Sequence, residues 1–504
     1  MFSFRRNKNA SDRQDPDESA PLLSPSGYLS PDDPAVSPYN LWSVRLLRGL
    51  TTVFLAVSFV WWIFLLVTLF VNPPMVYTRG SGFLGFSYAT MIIGYLATAL
   101  LFFAVPSRPM TICGILLAVF LLADMSIILG VVRIRIEEGW VGIASVAWAT
   151  FISFYGILRN VSVAWAKRDE EERLTGRAET RRSAREWLAV VAQGVVMAIL
   201  AIVAVLLTAT LILRARDASL APPGTKYPVA GDSYQVHLAC VGNSSTAEPQ
   251  QPTVLIEGGE SPIEHTLLPF IQNASLPRYC YWDRPGLAWS DNAPSPYSAG
   301  MAAEALSEAL LSAQSADQPG PFVLVAAGVG AIYARIFASR HPSDVDAILL
   351  VDPLHESFLP DLGSPRRGFL LWLRGIVAPL GVDRLLGAIF RDRSRQDRVF
   401  GSSASQSDRF IKAKLQESLV ASSITASEIN TARGALKRDT PLVVVSSGVE
   451  VNKSDRWAKA QEDSTGLTAN LKAWDVVDGA PHEVWRSVQG RSVLGKRIGE
   501  VVGV

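Results

Sequence analysis

The chain has 504 residues, a formal net charge of +1 and 49% hydrophobic residues. This length is sufficient for about two or three structural units. The near-neutral charge gives no reason to expect a nucleic-acid partner. Its cysteines and histidines do not cluster at the spacing of metal ligands, so we expect no metal and no other cofactor.

Residues 1–47 form a tail rich in Ser, Pro and Asp, a composition that predicts a disordered cytosolic segment. Its acidic residues argue against a mitochondrial presequence, which is usually poor in acids. Glu18, Leu22 and Leu23 match the acidic dileucine pattern that adaptor complexes recognise for vacuolar or endolysosomal delivery. An accidental match stays open, because short motifs are frequent in disordered tails.

Residues 48–215 contain five apolar stretches, at 50–71, 83–105, 110–132, 140–158 and 187–213. A bilayer requires about 20 apolar residues per helix, so this region predicts an α-helical transmembrane bundle of about five spans. Asp124 lies near the middle of the third stretch. A carboxylate at that depth indicates either a helix–helix hydrogen bond or an ion pathway, and the second alternative would make the chain a transporter component.

The distribution of basic residues predicts the orientation of the bundle. Arg and Lys are concentrated in the tail and in the charged segment 159–186, and such segments usually lie in the cytosol. An odd number of spans then places the C-terminal half in a lumen. Sequons at Asn243, Asn273 and Asn452 fit glycosylation there. We expect a location in the secretory pathway or vacuolar membrane, with a mitochondrial membrane as the alternative.

A series of motifs follows in residues 227–504. A β-branched run enters the glycine-containing loop at 257–261, and further motifs occupy 279–291, 323–335, 347–356, 441–448 and 479–485. In this order they resemble the strands and turns of the α/β-hydrolase fold. The resemblance implies a mostly parallel sheet with helices on both faces and a helical lid at about 359–439.

The whole chain also resembles a fungal group of multi-pass membrane proteins. These proteins join an N-terminal membrane region of unknown function to a C-terminal α/β-hydrolase-like domain, and some are labelled mitochondrial integral membrane proteins. The resemblance implies an architecture and no substrate.

The segment 326–330 resembles the nucleophile elbow, which normally reads Gly-x-Ser-x-Gly. Gly328 stands at the nucleophile position, so no side chain is available there to attack a carbonyl. The small neighbouring residues predict that a serine at 328 would still fit, at a strain cost of about 1–3 kcal/mol.

Other parts of the site follow from the same resemblance. Gly258, Gly259 and the N–H of Val329 resemble an oxyanion pocket, and His482 resembles the catalytic base, either active or vestigial. The acidic partner of that histidine stays open among three residues, namely Glu450, Asp455 and Asp352.

Two cysteines have positions that permit a disulfide. Cys240 ends the predicted second strand and Cys280 lies on the fourth. These strands are neighbours in the usual order of the sheet, so an oxidising compartment would allow the bond. Two free buried thiols are the alternative.

The leading hypothesis is a polytopic membrane protein whose luminal hydrolase-like domain has become a pseudoenzyme in binding or regulation. The alternative is an atypical hydrolase of an ester, lipid or amide, with a nucleophile from elsewhere or a water activated by His482. Expected partners are membrane lipids, an apolar small molecule and an adaptor complex that binds the tail. The unusually apolar stretch 369–390 is suited either to covering an apolar ligand or to lying on the membrane surface, and the alternative is that it forms the underside of a cap packed on its own domain.

Overall fold

The computed structural model describes residues 39, 41–73, 76, 78–176, 184–242, 252–274, 276–314 and 321–503. The predicted sorting residues Glu18, Leu22 and Leu23 and the sequon residue Asn243 lie outside the described residues.

Five long helices form the N-terminal region, and each is long and apolar enough to cross a membrane. They are α1 Trp42–Thr68, α2 Phe83–Leu101, α3 Arg108–Gly130, α4 Val132–Thr175 and α5 Ala184–Asp217. One helix corresponds to each predicted span. α4 exceeds its predicted span at both ends, so the start of the charged segment 159–186 continues the fourth helix.

Helix α2 is the most buried helix of this bundle and α1 is the most peripheral. Within their apolar windows 61% of α2 is buried, but only 17% of α1. The hydroxyl of Tyr88 on α2 donates a hydrogen bond to Asp124 Oδ2 on α3 at 2.8 Å. The intramembrane carboxylate therefore joins two helices, as the structural alternative predicts.

The C-terminal region contains one sheet of eight strands. They are β1 Thr225–Val229, β2 Tyr234–Val241, β3 Thr253–Glu257, β4 Tyr279–Trp282, β5 Phe322–Ala327, β6 Val345–Val351, β7 Pro441–Ser447 and β8 Asn470–Val477. Their order is β1-β2-β4-β3-β5-β6-β7-β8. β2 pairs antiparallel with β1 and β4, and the remaining pairs are parallel. This order confirms the predicted α/β-hydrolase-like fold.

Helices cover both faces of the sheet. Those outside the lid are α6 Leu268–Gln272, α7 Ala299–Gln314, α8 Gly330–Arg340, α15 Gly448–Lys453, α16 Asp455–Thr465 and α17 Val488–Val502. Successive side chains of a strand point to opposite faces. Leu324 of β5 therefore joins one buried cluster and Val325 joins the other. This two-sided burial explains the unbroken apolar runs of the central strands.

The lid lies between β6 and β7. Its helices are α9 Leu359–Leu362, α10 Pro365–Val377, α11 Val382–Phe390, α12 Arg395–Val399, α13 Asp408–Val420 and α14 Ala426–Ala435. Leu371, Trp372 and Ile376 of α10 pack in a cluster with Leu65 of α1 and Phe83 of α2. The lid thus rests on the membrane helices as well as on its own domain.

Ion pairs reinforce this junction between the lid and the membrane helices. Arg398 of α12 contacts Asp217, the last residue of α5, at 2.6 Å. Arg409 of α13 contacts Glu137 of α4 at 3.2 Å. All four residues are buried or nearly so.

Candidate functional site

The elbow backbone is retained although its nucleophile is missing. Gly328 follows β5 directly and has a φ of 50°, a conformation that favours glycine. Its N–H donates to the carbonyl of Val351 at 3.1 Å. Helix α8 starts at Gly330, where a Cβ atom would collide with the carbonyl of Gly258. Strand, turn and helix thus have the arrangement that presents a nucleophile in this fold.

A different side chain fills the space above Gly328. A Cβ atom at residue 328 would lie 2.7 Å from both carboxylate oxygens of Glu260. Oε1 of Glu260 accepts a hydrogen bond from the N–H of Val329 at 3.1 Å. Glu260 therefore occupies the nucleophile position and engages the predicted oxyanion-pocket donor. A serine at 328 would require this flexible side chain to move, which corrects the expectation that it would simply fit.

His482 lies between two carboxylates. Its Nδ1 is 2.5 Å from Asp352 Oδ2, and its Nε2 is 3.3 Å from Glu260 Oε2. Glu260, His482 and Asp352 thus form a line in which Glu260 stands where a triad would have its serine.

Asp352 is the candidate acid that the structure brings to His482. It follows β6, is fully buried and has a φ of 40°, a strained conformation for a residue other than glycine. Its other oxygen accepts hydrogen bonds from the N–H of Ser447 at 3.0 Å and from Trp457 Nε1 at 3.1 Å. These two donors hold the carboxylate towards His482.

The other two candidate acids lie elsewhere. Glu450 is in the first turn of α15 and pairs with Lys453 at 3.4 Å. Asp455 is exposed and begins α16. The acidic partner of His482, Asp352, therefore follows β6 and not β7.

The line of three side chains has opposite charges next to each other. Burial alone would lower the pKa of His482, but hydrogen bonds to Asp352 and Glu260 outweigh it and raise the pKa to about 10. Burial alone would raise the pKa of Glu260, but the hydrogen bond and charge of His482 lower it to about 2. At neutral pH the site therefore contains a protonated His482 beside an ionised Glu260.

Arg284 fixes the loop that carries Gly258, Gly259 and Glu260. Its guanidinium donates hydrogen bonds to the carbonyls of Gly258 and Gly259. It also pairs with Glu257, at the end of β3, at 2.7 Å. A buried arginine with these partners gives the loop one defined path, and that path aims Glu260 at the elbow.

One group of buried residues has the composition of a metal site. Ligand atoms of His237, Glu264 and Asp283 lie within 4.8 Å of one another. However, His237 Nε2 accepts the N–H of Gly224 at 3.2 Å, so Nδ1 carries the proton and faces Asp283 Oδ2 at 2.8 Å. Burial raises the pKa of Glu264 well above its usual range and that of Asp283 to about 7. Both ring nitrogens of His237 thus have hydrogen-bond partners, and burial favours the neutral forms of Glu264 and Asp283.

The structure also describes the predicted disulfide cysteines and two of the predicted glycosylation sites. Cys240 and Cys280 are directly opposite each other on β2 and β4 and are joined by a disulfide. Asn273 and Asn452 are both exposed.

The motifs did not assign a role to Glu260 or Trp457. Glu260 belongs to the loop that resembles an oxyanion loop. The only sequence feature that could have indicated its role is its charge among small neighbouring residues. Trp457 lies on α16, and its ring meets the ring of His482 edge-on at 5.8 Å. The contact between Trp457 and His482 depends on how α16 packs beside β7, and the sequence alone does not indicate that packing.

Comparison with known proteins gives a family but no activity. Residues 8–240 match the model of a region of unknown function, DUF2417. An uncharacterized protein of Schizosaccharomyces pombe is 32% identical, with 94% of this chain and 92% of that protein covered. An uncharacterized vacuolar membrane protein of Saccharomyces cerevisiae is 27% identical, with 55% of this chain and 50% of that protein covered.

Solved structures similar to the C-terminal region are α/β hydrolases of low identity. MGS-M2, from a deep-sea metagenome, is 13% identical with a TM-score of 0.41, covering 56% of this chain and 98% of that chain. The enol-lactonase of Burkholderia xenovorans is also 13% identical, with a TM-score of 0.35 and coverage of 56% and 100%. The extended match to the fission-yeast protein shows that this chain belongs to the fungal family of multi-pass membrane proteins that combine the DUF2417 region with an α/β-hydrolase-like domain.

Proposed function

We propose that this chain is a vacuolar membrane protein whose luminal α/β-hydrolase-like domain serves in binding or regulation and does not hydrolyse by serine chemistry. The observation that carries the proposal is the position of Glu260. Its carboxylate stands 2.7 Å from where a side chain of residue 328 would begin and accepts the N–H of Val329. The carboxylate of Glu260 thus occupies both the position of a nucleophile side chain and the position where the oxyanion of a reaction intermediate would be bound.

The protonation state of His482 supports the same proposal. A general base must be able to accept a proton at the working pH. His482 has a pKa of about 10 because two carboxylates flank it, so it is already protonated at neutral and acidic pH. It cannot activate a water molecule while Glu260 remains beside it.

Three observations support a luminal domain in the vacuole. The baker's-yeast relative is described as a vacuolar membrane protein. The Cys240–Cys280 disulfide suits an oxidising compartment. The basic N-terminal tail and segment 159–186 favour the cytosol, and five spans then direct the C-terminal domain to the other side.

Reactivity with a serine-directed fluorophosphonate tests the loss of serine chemistry in the purified full-length protein. We expect the wild type to remain unlabelled and to leave fluorogenic esters intact. Glu260→Ala combined with Gly328→Ser should label at residue 328, whereas Gly328→Ser alone should label more slowly because Glu260 must first be displaced. Adding His482→Ala to the double variant should lower the rate by about 10²-fold or more, since a positioned base contributes that much.

One matched control and one contradicting outcome make this experiment decisive. Glu260→Ala alone opens the site without supplying a nucleophile and should remain inert. Stoichiometric labelling of the wild type at a serine near Glu260 would contradict the proposal.

One observation favours the alternative of an atypical hydrolase. Half of the Glu260 side-chain surface and a third of that of His482 reach solvent, so a ligand can approach both groups. That alternative requires ester or amide hydrolysis by the wild type that is lost in both Glu260→Gln and His482→Ala. Hydrolysis by the wild type that survives both substitutions would point to a contaminant.

A further inference from the structure

Two lid helices expose apolar stripes. On α10 the exposed apolar side chains are Phe369, Leu370, Leu373 and Val377. Positions four apart lie on one face of a helix, so 369, 373 and 377 form a continuous line. On α11 the corresponding side chains are Val382, Leu386, Ile389 and Phe390. Ile389 and Phe390 are 68% and 76% exposed, which is costly for large apolar side chains in water.

The opposite faces of these helices are seated on the membrane bundle. Gly375 of α10 lies directly against the ring of Phe83, and a Cβ atom at Gly375 would overlap that ring. The carbonyl of Leu380, in the turn between α10 and α11, accepts a hydrogen bond from Thr210 of α5 at 3.0 Å. Leu380 itself packs against the buried cluster of the membrane helices. The stripes therefore continue the outward-facing apolar surface of the bundle.

The lid contacts the membrane helices near their ends, at a height along the helix axes that agrees with the edge of a bilayer. Helix α2 has 19 residues, a length of about 28 Å at 1.5 Å per residue, close to the thickness of the hydrocarbon layer. Phe83 is its first residue and Thr210 lies two turns before the end of α5. These lengths are consistent with a position of α10, and of the turn that leads to α11, at the boundary between hydrocarbon and headgroups.

Basic residues flank the stripes. Arg367 and Arg374 are exposed at the border of the α10 stripe; on α11 the exposed Arg391 lies at the end of the helix beside the exposed Asp392, and Asp383 is exposed in its first turn, so the basic flank belongs mainly to α10. An amphipathic helix with basic flanks typically lies in the interface of a membrane, where its cations meet anionic headgroups.

We propose that α10 and α11 lie in the bilayer interface, with their apolar stripes among lipid acyl chains and their flanking arginines at anionic headgroups. This inference is independent of the proposed function, because it does not involve Glu260 or His482. It makes the lid a fixed membrane anchor of the C-terminal domain, whereas a free flap could close over the site.

Quenching by brominated lipid tests the proposal in the full-length protein. Cys113→Ala removes the free cysteine among the described residues, and Leu386→Cys or Phe390→Cys then introduces one thiol for an environment-sensitive fluorophore. The matched control is Glu462→Cys, on an exposed surface of α16 remote from the membrane helices. The labelled proteins are placed in vesicles of phosphatidylcholine and phosphatidylserine with or without brominated acyl chains.

We expect a blue-shifted emission and loss of fluorescence with brominated lipid at 386 and 390, and neither change at 462. Emission at 386 and 390 that behaves like that at 462 would overturn the proposal. Labels shielded from aqueous iodide but not quenched by brominated lipid would also overturn it, in favour of a second protein copy covering the stripes. Two label positions and thermal melting of each variant separate a local folding defect from a true negative.

Discussion

Residues 328 and 260 are coupled because they share one space. Without a side chain at 328, the N–H of Val329 and Nε2 of His482 would each lack a side-chain partner if Glu260 were absent. Glu260 supplies both, at 3.1 Å and 3.3 Å. Buried or recessed polar groups without a partner destabilise a fold, so the glycine at 328 and the carboxylate of Glu260 are structurally compatible in a way that a side chain at 328 would disturb.

This coupling predicts a specific dependence of stability on pH. The folded pKa of His482, about 10, exceeds its ordinary value, so its contribution is complete below about pH 6.5 and is lost as the pH rises through 10. The folded pKa of Glu260, about 2, is below its ordinary value, so its contribution is complete above about pH 4.5 and is lost as the pH falls through 2. Both contributions are complete between about pH 4.5 and 6.5.

Glu260→Gln should therefore lower the melting temperature most between about pH 4.5 and 6.5, and the difference from wild type should shrink above that range. Because Glu260 is half exposed, we expect a loss of about 1 kcal/mol or less, which corresponds to about 2–4 °C. The control Glu462→Gln changes an exposed carboxylate and should have little effect at any pH. An equal difference at pH 5.5 and pH 10 would show that the ion pair does not stabilise the fold.

The motifs in the sequence predicted part of this site. Gly328 and His482 occupy positions that local sequence defines, one at a strand–helix turn and one in a C-terminal loop. The acid remained open because the ends of β6 and β7 meet at the same edge of the sheet. The role of Glu260 depends on the path that Arg284 imposes on its loop, and a contact between distant segments leaves no local pattern.

At the scale of elements, α13 connects the candidate site with the membrane helices. Arg409 reaches Glu137 of α4, and Lys412 donates to the carbonyl of Leu69 beyond α1. Lys414 and Glu417, on another face of the same helix, form an ion pair at 2.9 Å, and the charge of Lys414 helps to lower the pKa of Glu260. One helix thus contacts both regions, so a change in how α13 packs against the membrane helices would change the surroundings of Glu260.

The buried junction predicts an asymmetric response to two substitutions. Asp217 is surrounded by Arg398 at 2.6 Å, Arg384 at 3.9 Å and Arg395 at 4.0 Å. Asp217→Asn leaves three arginines without their shared anion and should cost about 3–5 kcal/mol. Arg398→Met leaves Asp217 with two arginines and should cost clearly less.

Thermal unfolding of the full-length protein in detergent measures both variants. Asp478→Asn, at an exposed position, serves as the control and should unfold like the wild type. Equal destabilisation by Asp217→Asn and Arg398→Met would mean that the interaction is a simple pair and that the other two arginines contribute nothing.

The elements differ in how well local sequence predicts them. The central strands were predicted because burial on both faces produces unbroken apolar runs, as in β5 and β6. The membrane helices were predicted from their length and apolarity. The seating of α10 on α2 was not predicted, because its inner and outer faces are both apolar and periodicity cannot say what covers each face.

At the scale of the whole molecule, the lid and the ends of α1, α2, α4 and α5 meet on one side of the bundle. The C-terminal domain must therefore lie on that side of the membrane. The first residue of α1, the last turn of α4 and the first turn of α5 lie at the other end of these helices, and the basic residues of the tail and of segment 159–186 are next to them in the sequence. Domain position and charge distribution together favour a luminal C-terminal domain.

The last prediction concerns this orientation. The full-length protein expressed in yeast should shift on a gel after endoglycosidase treatment, because Asn273 and Asn452 are exposed on the domain we place in the lumen. Asn273→Gln combined with Asn452→Gln and Asn243→Gln should abolish the shift, whereas Asn470→Gln, outside a sequon, should leave it unchanged. Cys240 and Cys280 should resist alkylation until reductant is added, since a luminal disulfide persists. An unglycosylated C-terminal domain that proteases digest in intact, sealed vacuoles would place it in the cytosol and reverse the orientation of all five spans.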